Sequence, residues 1–298
     1  MTTPLSSGLI TPIEPGRPAR AGARSGATAP PTQAIYANAL RRLEAAVASS
    51  CGSQHAVNED AHSALDGSGK LFVVADGVGG GAMAQTASRM LVALLHETLE
   101  AQPIDAARVS AAVLGADRAI AETIARVTER PGAATVALCA PVDAFAARWL
   151  IAWVGDCRVY RWSARDDGRL DLLTRDDTFG ALGETAPPGG SPDDPARMVG
   201  NGATTGANAA LHELGRGELL ALCSDGVHKH LDRADWCRVL AADVPLAQRG
   251  QALLALARAR GSVDDATVLL LHRSDPGWRD LRWSGRRAAA HDTPRSER

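Results

Sequence analysis

Between residues 36 and 273 the apolar positions fall into short continuous runs and longer helical stripes. Residues 70–75 (KLFVVA) form an apolar run closed by Asp76 and Gly77, a strand leading into a turn. Residues 83–99 place Ala84, Ala87, Leu91, Leu94 and Thr98 on one helical face. Residues 106–127 repeat that period through Val109, Val113, Ala116, Ile120, Ile124 and Val127. A block of strands is expected at 134–140, 149–154, 157–162 and 170–173, with Gly155–Asp156 as a hairpin reversal between the second and third. Residues 219–223 end in another Asp–Gly turn. Asp232 is placed to cap a helix running to Leu240, and 245–260 reads as an amphipathic helix stopped by Gly261. Residues 266–272 close the unit as a strand.

Strand, two helices, a strand block, a helix pair and a final strand is not the βαβ alternation of a doubly wound sheet. It predicts an α+β fold, two antiparallel sheets covered by helices. Residues 176–217, rich in Pro and Gly, are expected to form a surface flap. Residues 1–35 carry few large apolar side chains and are expected to be a disordered extension, because little burial is on offer to offset ordering entropy. After residue 273 the periodicity stops, and 274–298 reads as a loose, arginine-rich tail that Trp278, Leu281 and Trp283 could dock on the domain.

Composition narrows the function. Lys and Arg total 32 against 34 Asp and Glu, so no basic field argues for nucleic acid. No run reaches the ~18 apolar residues of a membrane span, and the N-terminus lacks the apolar core of a secretory signal. Five cysteines form no CxxC pair; Cys139, Cys157 and Cys223 lie in or beside strand-like runs, where thiols pack as small hydrophobes. A reducing, cytoplasmic setting is the expectation.

The chemistry lies in four acidic stretches: VNED (57–60), VVADGVGG (73–80), LCSDGV (222–227) and DDATVLLL (264–271). Three of them set a carboxylate against a buried apolar run, where an unpaired charge is costly. Any one Asp–Gly is more simply a turn. Several together point to a shared divalent cation, because Mg²⁺ and Mn²⁺ take oxygen ligands and a pair of such ions can clamp a phosphoryl group for attack by water.

These stretches, with PGAATVAL, VGDCRVY and LLTRDDTFG, occur in the order found in PPM-type metal-dependent protein phosphatases (protein phosphatase 2C), and the chain resembles the bacterial type over roughly residues 50–272. The resemblance implies an α-β-β-α sandwich and hydrolysis of phosphoserine or phosphothreonine by water activated by two Mn²⁺ or Mg²⁺ ions, with room for a third. It implies metal contacts from Asp60, Asp76, Gly77, Asp156, Asp225 and Asp264, with Asp76 bridging, Asp225 and Asp264 on the second ion, and Asp156 toward a third. Glu59 and Asp60 would hold water, and Thr135 would be structural. It also implies phosphorylated proteins as partners, together with a serine/threonine kinase and its targets.

Three departures stand out. His55 occupies the position where relatives carry a phosphate-binding Arg, leaving phosphate contact to His55 or to another residue such as Arg197. Val78 stands where eukaryotic relatives have a His. Asp265 stands where Asn is usual, and the flap lacks the family's helical pattern. The rivals are a non-catalytic phosphoprotein-binding member of the same fold and an aspartyl-nucleophile phosphatase, whose D-x-D after a parallel strand is not found. His228 and His230 read as surface residues, Ser224 as structural, and Cys223 as core rather than nucleophile.

Overall fold

The computed structural model describes residues 32–274 apart from 130, 131, 166, 167 and 203. In chain order the elements begin with β1 (Thr32–Ala37), β2 (Arg42–Ser50), β3 (Ala61–His62), β4 (Phe72–Val78), α1 (Ala82–Leu99) and α2 (Ala106–Ala125). They continue with β5 (Ala133–Pro141), β6 (Arg148–Val154), β7 (Arg158–Ser163), β8 (Arg169–Leu172) and α3 (Phe179–Leu182). The remainder are β9 (Asn208–Glu213), β10 (Glu218–Cys223), α4 (Asp225–His228), α5 (Arg233–Leu240), α6 (Leu246–Ala259) and β11 (Ala266–Ser274).

The strands make two antiparallel sheets, ordered β1-β2-β11-β10-β7-β8 and β3-β4-β5-β6-β9. Period-two alternation divides each central strand between two cores. Leu43, Ala45 and Val47 of β2, Phe72 and Val74 of β4, Trp149 and Ile151 of β6, Leu220 and Leu222 of β10, and Leu269 and Leu271 of β11 meet between the sheets. The intervening residues face helices: Val73 and Ala75 pack with Leu91, Leu95, Val113 and Ile120 of α1 and α2. Val268 and Leu270 pack with Leu253, Leu254 and Trp236 of α6 and α5. The result is the expected α-β-β-α sandwich. Because both faces of each sheet are covered, its central strands read as continuous apolar runs.

Helix ends follow their sequence signals. Asp105 accepts from Arg108 N at 2.9 Å and Asp232 from Asp235 N at 2.8 Å as N-caps. Gly261, at φ 97°, lies just past α6.

Thr98 and Val127, expected on the buried helical faces, are exposed, and α2 stops at Ala125 short of Val127. Four further expectations need correction. Gly155–Asp156 is not a hairpin: β6 and β7 belong to different sheets, so this turn carries the chain across the sandwich. Gly155 has φ 91°, and an added Cβ would lie 2.4 Å from Thr135 Cγ2, so only glycine fits there. The segment after β8 is more than a flap. Asp177, Thr178 and Val199 are buried, and β9 pairs with β6 along Arg148↔Glu213 to Trp153↔Asn208. The first sheet begins at Thr32, inside the segment expected to be disordered, and includes the unanticipated strand β2. Asp76 and Gly77 continue β4 rather than turning out of it. The rest of the N-terminal extension and the tail with Trp278, Leu281 and Trp283 lie outside the described residues.

Candidate active site

At one end of the sandwich the inner rows run out into carboxylates. Asp76 follows Phe72 and Val74 on the inner side of β4, and Asp225 follows β10 at the start of α4. Asp264 and Asp265 precede β11, Asp156 sits in the crossing from β6 to β7, and Glu59 and Asp60 enter just ahead of β3. A cleft of about 220 Å³ is lined by Glu59, Asp76, Gly77, Asp156, Asp225 and Asp264, together with His55, Lys229 and, from beyond β8, Asp194 and Pro195. Thus Asp76, Asp225 and Asp264, separated by up to 188 residues, share one pocket.

The VNED segment is held at every position after its valine. Asn58 Nδ2 donates to Ser49 Oγ at 2.8 Å, and its Oδ1 accepts from Asp60 N at 3.0 Å. Glu59 is buried; its carboxylate accepts from Gly81 N at 2.5 Å, and its carbonyl accepts from Ser88 Oγ at 2.5 Å. Asp60 lies beneath the cleft, where Ser224 Oγ donates to its Oδ2 at 2.7 Å and Thr267 N donates to that same Ser224 Oγ at 3.0 Å. Ser224 is therefore structural, as its sequence context indicated.

Crowding shows in the protonation. Burial, then the neighbouring acids, pushes Asp60 up to about 7 against the Ser224 and Thr267 hydroxyls. Burial followed by Asp60, Asp225, Asp156 and Asp264 drives Asp76 well above the carboxylate range. Asp156 rises to about 6, through burial and then Asp225, against Lys229. Asp264 is raised by burial and Asp225. Asp225 is lowered: burial opposes, but the Lys229 ammonium outweighs it. Carboxylates crowded together with upward-shifted pKa, Asp60 and Asp76 without a cationic partner among the described residues, mark a site made for cations.

Two further observations fit divalent ions. Asp60 Oδ1 and Asp225 Oδ1 are buried and find no donor among the described residues, although buried oxygens are normally satisfied. At Gly77, which lines the cleft, an added Cβ would meet Ala84 O at 2.4 Å and Glu59 O at 2.9 Å, so only a bare backbone fits against the helix entry. The donors are all hard oxygens, the set that suits Mg²⁺ or Mn²⁺.

His55 and Asp265, two of the sequence departures, pair with each other. His55 Nδ1 lies 3.0 Å from Asp265 Oδ2, with Asp264 Oδ1 at 3.7 Å and Glu59 Oε1 at 3.9 Å. Burial pulls the imidazole down, but these three acids outweigh it and raise its pKa. Asp265 also accepts from Gly52 N and Glu59 N, each at 2.7 Å, so its oxygens are committed to holding the loop. Asp264, Asp265 and His55 could together hold an ion, but Asp265 has no oxygen to spare.

Arg197 does not join the cleft. Its guanidinium faces Asp177 at 3.7 Å and Glu184 at 3.9 Å. Asp177 is the tie beneath it, accepting from Gly155 N at 3.2 Å and from Asn208 Nδ2 at 2.9 and 3.0 Å. Sequence reasoning missed Lys229, which reaches Asp225 and Asp156, and misplaced His228, which is buried with Nε2 donating to Asp156 O at 2.9 Å. The i, i+4 spacing of Asp225 and Lys229 was the available signal, hidden because α4 is a single turn. Thr135 is structural: fully buried, it contacts Cys157 Sγ at 3.3 Å.

The sequence pattern of protein phosphatase 2C matches residues 48–259. The serine/threonine protein phosphatase PstP of Mycobacterium tuberculosis is 29% identical over 240 residues, which are 76% of this chain and 44% of that protein. This chain thus spans less than half the length of the curated relatives it matches. Among solved structures, the catalytic domain of PstP in complex with 2 manganese ions superposes with a TM-score of 0.66 at 27% identity, covering 78% of this chain and 99% of that one. PppA of Pseudomonas aeruginosa, described as a key regulatory component of T6SS, gives 0.65 at 25% identity over 78% and 97%. The phosphatase MsPP of Mycobacterium smegmatis, in complex with cacodylate, gives 0.65 at 25% over 76% and 97%.

Proposed function

The chain belongs to the protein phosphatase 2C family, and from that membership we propose that it hydrolyses phosphoserine and phosphothreonine in proteins with the help of two Mn²⁺ or Mg²⁺ ions. One observation carries the reading. Asp76, Asp225 and Asp264 line a single cleft with Asp60 beneath it, and one oxygen each of Asp60 and Asp225 is buried with no donor among the described residues. Asp60, Asp76, Asp225, Asp264 and the Gly77 carbonyl would hold the ions. When bound, the ions would supply Lewis-acid charge to phosphoryl oxygens and lower the pKa of water.

The chain's own groups do the rest. Asp76 interacts electrostatically with Asp60, Asp225, Asp156 and Asp264 alike, which suits the position of a bridge. Glu59, pinned through Gly81 N, Ser88 Oγ and Asp265, presents its carboxylate to the cleft to orient water. His55 offers a partly exposed cation to the incoming phosphate, held charged by the acids around it. The imidazolium gives single hydrogen bonds instead of a guanidinium fork. PstP is named a serine/threonine phosphatase, and by that likeness the substrates here are phosphorylated proteins, a serine/threonine kinase and its targets in the cytoplasm among them. No helix among the described residues is long and apolar enough to cross a membrane.

The test is hydrolysis of p-nitrophenyl phosphate and of a phosphothreonine peptide in Mn²⁺. Both activities are expected, and Asp76→Asn or excess chelator abolishes them. The second reading is a phosphoprotein-binding member without catalysis, and His55 in the cleft in place of the usual arginine is the feature that favours it. Peptide binding with turnover no faster than Asp76→Asn would establish that second reading instead.

A further inference from the structure

Asp156 and Asp225 flank adjoining ends of the paired strands β7 and β10, Asp156 in the crossing from the other sheet and Asp225 just after β10. Between them lies the Lys229 ammonium, 2.7 Å from Asp225 Oδ2 and 3.1 Å from Asp156 Oδ2. Its position is fixed from behind. Lys229 N donates to Asp225 O at 3.0 Å, and the neighbouring Val227 and His228 are buried. His228 also holds the Asp156 carbonyl at 2.9 Å. One turn of helix therefore supplies a carboxylate, the cation that neutralises it, and the clamp on a second carboxylate.

The oxygens so engaged are not the ones awaiting ions. Lys229 takes Oδ2 of both residues, and Asp225 is left with Oδ1, which has no donor among the described residues. A Mg²⁺ or Mn²⁺ ion lodged between Asp156 and Asp225 would have to occupy the space where the ammonium sits against their carboxylates. An ammonium at 2.7–3.1 Å from both cannot share that space, and its like charge repels a divalent ion there.

We propose that Lys229 is a tethered cation that fills the place of a third divalent ion between Asp156 and Asp225, and so sets the ion count of this cleft at two. Asp156 is then a partner of Lys229 rather than a metal ligand. The inference deepens the phosphatase reading and rests on it. Lys229 is a positioning residue: it acts by denying an ion its ligands and by orienting Asp225.

The experiment is ion counting by equilibrium dialysis with elemental analysis at saturating Mn²⁺, on the full chain, with thermal melts as a check on folding. The parent is expected to hold two ions. Lys229→Met, which keeps the apolar stem, and Lys229→Ala, which removes it, are expected to hold a third. Lys229→Arg restores two, and so does adding Asp156→Asn to Lys229→Met. A parent that holds three ions overturns the inference while leaving the phosphatase reading intact. Folded Lys229→Met and Lys229→Ala proteins that still hold two overturn it as well. A parent that holds none refutes the phosphatase reading and this inference together.

Discussion

Asp60→Asn should abolish metal-dependent activity and at the same time make the metal-free protein more stable. In the fold, burial and neighbouring acids raise Asp60 from 3.8 to about 7. A group whose folded pKa is raised incurs no penalty below its unfolded value. It loses stability as pH climbs toward the folded value and carries the full penalty above it. At ~1.4 kcal/mol per unit, the shift corresponds to about 4 kcal/mol at pH 8 and to less than about 2 kcal/mol at pH 5. Asparagine is nearly the same shape and keeps an acceptor for Ser224 Oγ. The neighbouring acids redistribute protons when one of them is removed, so the expected gain at pH 8 is ~2–4 kcal/mol. That corresponds to roughly 4–16 °C in Tm for a domain of this size. Calorimetry in chelator at pH 8 and pH 5 measures it: Asp60→Asn melts well above the parent at pH 8, and the gap narrows at pH 5. Saturating Mn²⁺ then raises the parent far more than the variant, because ligand binding stabilises only a fold that can bind. A variant no more stable than the parent at pH 8, or an equal gain at both pH values, refutes the reasoning.

Other perturbations test separate parts of the site. Gly226→Ala puts a Cβ 1.9 Å from the Asp265 carbonyl, so it should cost about 1–3 kcal/mol or more in urea denaturation and weaken Mn²⁺ binding. Arg258 donates to Ser50 O at 3.2 Å, Ser262 Oγ at 3.1 Å and the Asp264 carbonyl, so Arg258→Ala should cost about 2–3 kcal/mol and loosen the loop that carries Asp264. His55→Ala should raise KM for p-nitrophenyl phosphate severalfold with kcat largely kept. The parent's KM should rise as pH climbs through the raised imidazole pKa, where the cation is lost, and the variant's KM should stay flat across that range.

The sequence carried the helices and central strands because each buries a face with a clear period. Leu91, Val113 and Ile120 mark one-sided stripes, and the apolar runs of β5, β10 and β11 are covered on both sides. β2 was missed because its covered residues are small. Alanines at 45, 46 and 48 give little strand signal, yet Ala48 is what allows Gly250 of α6 to approach, with a Cβ built there only 3.4 Å from Ala48 Cβ. β9 was hidden among Pro and Gly as an edge strand whose exposed residues alternate with half-buried ones. The hairpin at Gly155–Asp156 failed because turn chemistry fixes a reversal but not which sheet receives the next strand. The acids of the cleft could be read because a carboxylate beside a buried run is conspicuous. Lys229 and His228 could not, because their roles depend on how a four-residue helix is seated against the crossing turn.

That crossing has a mechanical corollary. Asp76 belongs to one sheet, Asp225 and Asp264 to the other, and Asp156 to the only direct step between β6 and β7. Sliding the slabs past each other by a single residue repeat would pull the coordinating oxygens out of reach of a common centre. Cations bound at the rim would therefore rivet the two halves, and the Leu and Trp side chains interleaved between them set the tolerance to which that rivet hole is drilled.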